Sequence, residues 1–164
     1  MQKVGISFLA LALVAAAAAG TPAAAQSLTA LTAPQEGRTM RATSGNTENN
    51  DDYLVFAKGE TKTLAVLEGP GKITHFWFAP LSADIRFPRA LVLRVYWDGA
   101  ASPSVEVPFG DFFGAGNGMQ AEVNSLPVKV SSFGRGYNCY WEMPFRKQAR
   151  ITVTSGPAIE RAGD

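Results

Sequence analysis

Asn138, Tyr140 and Glu142 fall at every second position of one run and so share a face of a predicted strand. An amide, a phenol and a carboxylate on one face offer a donor, acceptors and a stacking surface together, the combination that grips a polyhydroxylated ligand. Glu142 is the foremost contact in that reading; a solvated outer strand face is the plainer alternative. Asp51, Asp52 and Asp111 stand near predicted loop ends. There a carboxylate can hold ligand hydroxyls, or it can close a turn by bonding its own backbone. The remaining central acids, Asp84, Asp98, Glu106 and Glu122, are single and scattered. Asp51 and Asp52 are adjacent, but neighbours in an extended chain project to opposite sides, so no acid/base pair can be nominated.

His75 is the only histidine, and no cysteine or carboxylate stands beside it at ligand spacing, so neither a metal nor another cofactor is expected. It reads as a packed, hydrogen-bonded side chain between Ile73 and Trp77 rather than as a catalyst. Cys139 alternates with Tyr137, Trp141 and Met143 and reads as a small buried hydrophobe, because a thiol nucleophile needs a base close by. Trp77, Trp97 and Trp141 could stack on sugar rings, but their apolar faces place them mainly in the core.

These groups need a frame, and the first residues are not part of it. Lys3, an apolar run from Val4 to Ala19, and Ala23-Ala24-Ala25 before Gln26 have the layout of a secretory signal peptide, residues 1–25, cleaved after Ala25. The run is shorter than the roughly 20 residues that span a bilayer. No twin arginine precedes it and no cysteine stands at the cleavage point, so a periplasmic or secreted chain with no membrane anchor is expected. Cleavage removes one lysine and no acid from 15 basic and 14 acidic side chains, which leaves a neutral protein. A nucleic-acid partner is disfavoured, since neutralising phosphates needs a basic patch. Cys139 is the only cysteine, so stability must rest on a core. Residues 26–45 lack a sustained period and read as a flexible lead-in, with a short helix around Leu28 to Leu31.

From Asn46 onward short alternating runs recur between turn residues, which predicts an all-β sandwich of about eight strands, a jelly roll. The clearest strand is Arg89 to Asp98, with Leu91, Leu93, Val95 and Trp97 on one face, and it ends at the tight-turn dipeptide Asp98-Gly99. Val105, Val107 and Phe109 alternate next, and Pro108 confines that strand to an edge or places it at the strand's end. Tyr53 to Ala57 and Thr61 to Leu67 flank Lys58-Gly59-Glu60. Gly69-Pro70-Gly71 then turns the chain into Lys72 to Phe78, whose two faces should both be covered. Leu126 to Ser132, Tyr137 to Met143 and Gln148 to Thr154 complete the set. Asp111 to Gly118 is too glycine-rich for a regular element and reads as a long connection at one end, where binding loops gather.

Five segments taken in order carry a resemblance. They are Asn49-Asn50-Asp51-Asp52-Tyr53, Gly69-Pro70-Gly71-Lys72-Ile73-Thr74-His75-Phe76-Trp77-Phe78, Leu93-Arg94-Val95-Tyr96-Trp97-Asp98-Gly99, Pro103-Ser104-Val105-Glu106-Val107-Pro108-Phe109-Gly110-Asp111-Phe112-Phe113-Gly114 and Asn138-Cys139-Tyr140-Trp141-Glu142-Met143-Pro144-Phe145-Arg146-Lys147. Across nearly all of Asn46 to Thr154 the chain resembles glycoside hydrolase family 172.

The resemblance implies a tandem pair of jelly rolls per subunit, homo-oligomers that are trimers or multiples of trimers, and sites between subunits. It implies furanoside carbohydrates as partners: α-D-fructofuranosides, including difructose dianhydride, or D-arabinofuranosides. It also implies retaining chemistry by two glutamates in the second jelly roll, one of them near a Gly-Thr-Glu-Asp-Tyr type of motif. Retention needs two carboxyl groups about 5 Å apart. This sequence contains no such motif, and its tail from Ser155 to Asp164 does not follow the family's continuation. The expectation is therefore a jelly-roll domain over 46–164, truncated at its C-terminus and inactive alone, with an exposed apolar patch where the second jelly roll would pack. Two other readings stand beside it: a non-catalytic carbohydrate-binding or subunit-assembly module, and an enzyme whose site is completed by a separate chain.

Overall fold

Period-two alternation builds strands because every second side chain can be buried while the main chain pairs sideways. The computed structural model describes Pro34, residues 37–45, Glu48 and residues 51–156. The expected signal peptide and the short helix around Leu28 to Leu31 lie outside those residues. Contacts divide the chain between Thr39 and Met40, and the unit that begins at Met40 holds every element below. In order these are β1 (Thr61–Glu68), β2 (Gly71–Ile73), β3 (Phe76–Phe78), α1 (Phe87–Ala90), β4 (Leu91–Trp97), β5 (Val105–Pro108), α2 (Phe109–Phe112), β6 (Val123–Asn124), β7 (Val128–Ser131), β8 (Gly136–Cys139), β9 (Met143–Phe145) and β10 (Gln148–Ser155).

Two antiparallel four-stranded sheets, β1-β10-β4-β5 and β3-β8-β7-β6, together with a β2-β9 ladder, make an all-β jelly-roll sandwich. The two helices are single turns. No helix among the described residues is long and apolar enough to cross a membrane. The first sheet sends Leu93, Val95, Ala149, Ile151 and Val153 into the core, and the second sends Phe76, Val128, Val130, Tyr137 and Cys139. Pro108 ends β5, which is an edge strand, as a residue without an amide proton requires.

Several elements depart from the alternation. Tyr53 to Ala57 is not a strand: Tyr53, Leu54 and Val55 are exposed, no neighbouring strand takes up their main-chain groups, and Asp51 alone forms an isolated bridge. Lys72 to Phe78 is two strands rather than one. β2 pairs with β9 and β3 with β8, with Thr74 and His75 between them. Tyr137 to Met143 is split in the same place, and a short strand not expected from the sequence, β6, pairs with β7, so the described residues hold ten strands where about eight are expected.

Asp111 to Gly118 is also more than a connection. Its first residues belong to the single turn α2, and Phe113 and Ala115 are fully buried beneath the sandwich end. Phe113 packs on Phe109 and Phe112, both with ring centroids 5.0 Å away, and on Tyr137 at 5.3 Å. This segment is a core plug, and aromatic burial rather than glycine content decides its path.

Asp98-Gly99 reverses the chain as expected. Both residues are left-handed, at φ 57° and 85°, and the Ala100 amide donates to Trp97 O at 2.9 Å. Asp98 does a second job, since its Oδ1 accepts from the amides of Lys147 at 2.6 Å, Arg146 at 2.9 Å and Gln148 at 3.3 Å. The amide of Lys147 above all, then those of Gln148 and Arg146, hold the Asp98 carboxyl below its ordinary pKa. A lowered folded-state pKa stabilises the fold above the unfolded value, and that stability is lost as pH falls through the folded value. Asp98→Asn should therefore flatten the acid limb of a urea-midpoint profile below about pH 4. An unchanged limb would assign the acid sensitivity to Glu60 and Asp84, whose pKa values are also lowered.

Candidate functional site

The break between β2 and β3 creates the surface of interest. Ile73 pairs with Met143 and Phe76 with Cys139. The first side thus has Thr74 and His75 between its pairs, whereas the second has Tyr140, Trp141 and Glu142, one residue more. An extra residue on one side of an antiparallel pair bulges the strand and re-aims its side chains. Trp141, which strict alternation would bury with Cys139 and Met143, is 56% exposed.

Side chains on the outer face of the second sheet then fall into rows. Trp77, Asn138, Lys129 and Asn124 are successive cross-strand partners and share one face. One row further on, His75 and Tyr140 stack with ring centroids 4.6 Å apart and planes within 1°. His75 Nε2 lies 3.1 Å from Asn138 Oδ1, a hydrogen bond in which the imidazole N–H donates. Beyond them Lys72 Nζ donates to Glu142 Oε1 at 2.7 Å. Both members of that pair are solvent-exposed. Such a pair is worth about 1 kcal/mol or less, so Glu142 can exchange its lysine for a ligand hydroxyl at small cost.

Chemically this face joins aromatic rings to amide, carboxylate and ammonium groups that are open to solvent. The outer face of the first sheet differs. There Thr61 Oγ1 lies 2.7 Å from Thr154 Oγ1, Arg94 donates to Thr154 Oγ1 at 2.6 Å and pairs with Glu106 at 3.0 Å, and Arg150 covers the Tyr96 ring at 3.6 Å. Those groups bond one another, and the Thr152 hydroxyl of β10 is buried without a hydrogen-bond partner among the described residues, whereas the second sheet carries exposed rings and is the better ligand surface.

The six residues singled out in the sequence separate into three places. Asn138 and Tyr140 meet through His75, and Glu142 lies beside them on Lys72, although β8 ends at Cys139 and the three do not share one strand. Asp111 sits on α2, where Arg89 of α1 donates to its Oδ2 at 2.6 Å. Its Oδ1 is buried with no hydrogen-bond partner among the described residues. Asp51 and Asp52 are exposed on the segment before β1, where Ser44 Oγ donates to the Asp52 carbonyl at 3.3 Å.

His75 is hydrogen-bonded as read, yet it lies at the surface rather than packed inside. Trp77 and Trp141 are exposed instead of mainly core, whereas Trp97 is partly buried and stacks on Phe145. The phase change at Thr74-His75 is what alternation alone misses. Cys139 is a free thiol, fully buried, and burial pushes its pKa up, which keeps it protonated and unreactive.

The GH172 domain-like family matches residues 46–160, more than two thirds of the chain. The chain belongs to that family. None of the curated proteins matches the chain. Membership makes this a glycoside hydrolase family 172 domain, and it directs attention to the carboxylates. Glu60, Asp84, Glu106, Asp111 and Glu142 each face a cation, and Asp98 faces amides. The Glu60 pKa is lowered chiefly by the amide of Ala57 and that of Asp84 chiefly by the Arg86 side chain. A proton donor needs the opposite shift. No group of three or more metal-ligating side chains exists among the described residues.

Proposed function

We propose that this family 172 domain is the carbohydrate-contacting jelly roll of an exported retaining glycosidase that acts on α-D-fructofuranosides or D-arabinofuranosides. In this reading the two catalytic glutamates come from outside the described sandwich, and the working form is a trimer or a multiple of trimers. The observation that supports it is the His75–Tyr140 stack tied to Asn138, with Trp77 and Trp141 exposed around it. Aromatic faces cover the apolar face of a sugar ring while neighbouring amides and carboxylates take its hydroxyls. The tethering of the carboxylates in ion pairs also favours a second reading, a non-catalytic carbohydrate-binding or subunit-assembly module.

Titration with α-D-fructofuranosyl and D-arabinofuranosyl ligands should shift the indole NMR signals of Trp77 and Trp141, with no turnover by the chain alone. Hydrolysis by the chain alone would place the catalytic pair within it and overturn the division of labour. Hydrolysis that begins only when a glutamate-bearing second jelly roll is added would select the enzyme over the module.

A further inference from the structure

The aromatic and polar rows continue past the stack, along the strands. Behind Tyr140 and His75 comes the row of Trp77, Asn138 and Lys129, and behind that Ser131 pairs with Gly136 on the same face. Gly136 presents no side chain. A Cβ there would lie 3.1 Å from Ser131 Oγ and 3.6 Å from Ser132 Oγ, so the glycine leaves a floor bordered by two hydroxyls. At a strand rise of ~3.3 Å per residue, Tyr140 and Gly136 are about 13 Å apart, farther than one sugar ring reaches.

At the Gly136 end of β8, the β7–β8 turn carries an exposed aromatic residue, Phe133. Phe133 is 81% exposed and holds φ 56°, between Ser132 at 56° and Gly134 at 78°. Left-handed backbone is costly for a bulky side chain, and glycine would occupy the position without strain. The turn is nevertheless fixed on both sides. Glu122 Oε1 accepts from the Phe133 amide at 3.3 Å, the Arg135 amide donates to Ser131 O at 3.0 Å, and the Arg135 guanidinium donates to Ser132 O at 3.2 Å. Gly134 is buried against Gln120, whose carbonyl carbon would lie 2.9 Å from an added Cβ. An exposed aromatic residue held in left-handed backbone by a hydrogen-bonded turn is a form of local cost that clusters at functional positions.

We propose that the outer face of the β3-β8-β7-β6 sheet binds a linear oligofuranoside lying along β8, from the Tyr140–His75 stack over the Gly136 floor to Phe133. The inference rests on the furanoside reading above and extends it from a single sugar to a chain. Successive rings meet aromatic, amide and hydroxyl groups in turn, and no one ring can touch both ends.

The test is calorimetry of the full chain with linear D-arabinofuranosyl and D-fructofuranosyl oligomers from mono- to hexasaccharide, with cello-oligosaccharides as a pyranose series. Affinity should rise about tenfold or more along one furanose series. Phe133→Gly, which relieves the left-handed strain, should keep the melting temperature at or above the parent's. It should also cut hexasaccharide affinity about tenfold, towards that of the disaccharide. Gly136→Leu should do the same by filling the floor. Affinity independent of chain length, or insensitive to both substitutions, would overturn the stripe. The same length dependence with the pyranose series alone would keep the stripe and sink the furanoside reading. A Phe133-dependent dimer in sedimentation, without sugar binding, would reassign the face to a second copy of this chain.

Discussion

Phe113→Ala should cost the fold about 3–5 kcal/mol, the range for deleting a large aromatic side chain from a close-packed interior. Phe113 is fully buried and touches Phe78, Phe109, Phe112 and Tyr137, the densest aromatic contact set in the described domain. Domains of this size are stable by only about 5–15 kcal/mol, so the variant should be marginal at room temperature. The neighbouring glycines cannot collapse far to fill the space, since a Cβ on Gly110 would already lie 2.6 Å from Pro88 Cβ and 2.7 Å from Ala115 O. Urea denaturation of parent, Phe113→Leu and Phe113→Ala gives the series, with leucine expected in between. A loss below about 1 kcal/mol for alanine would mean that the segment from Asp111 to Gly118 is a surface loop after all.

Tyr140→Ala should lower furanoside affinity about tenfold, equivalent to ~1.4 kcal/mol. The ring supplies a stacking face, and aromatic pairs of this kind are worth about 0.5–1.5 kcal/mol beyond the area they cover. Its loss also frees the His75 ring that it holds parallel at 4.6 Å. Stability should change little, because Tyr140 is 49% exposed. Tyr140→Phe keeps the stack and should retain most of the affinity, and a double-mutant cycle with His75→Ala isolates the coupling between the rings. Calorimetry that finds Tyr140→Ala equal to the parent would remove the stack from the site and leave Glu142 and Lys72 to carry recognition. Glu142→Gln should weaken binding less than Tyr140→Ala, because a glutamine can still accept a hydroxyl proton and Lys72 can still donate.

The sandwich was legible wherever one side of a strand is buried. Leu93 and Val95 on β4, Ile151 and Val153 on β10, and the reversal at Asp98-Gly99 follow from alternation and turn chemistry alone. Alternation failed where the chain changes partner. Lys72 to Phe78 reads as one strand because nothing local marks the passage from β9 to β8, and the apolar character of Trp77 and Trp141 reads as burial for the same reason. It failed again at Phe112-Phe113, where glycine spacing suggested a loop while the rings had a core to fill.

By itself the sequence determined the all-β class, the restriction of Pro108 to an edge strand or a strand's end, the burial of Cys139 and, through five ordered segments, membership of glycoside hydrolase family 172. These depend on local stereochemistry and on side-chain periods, which act over a few residues. The tertiary structure alone decided that His75 meets Tyr140, that Asp111 pairs with Arg89 and that Trp141 faces out. Residues 75 and 140 come together only because β3 pairs with β8 and a one-residue mismatch beside that pairing turns both rings outward. Which strands pair, and in which register, is set by the fit of the whole core, and no short-range pattern carries it.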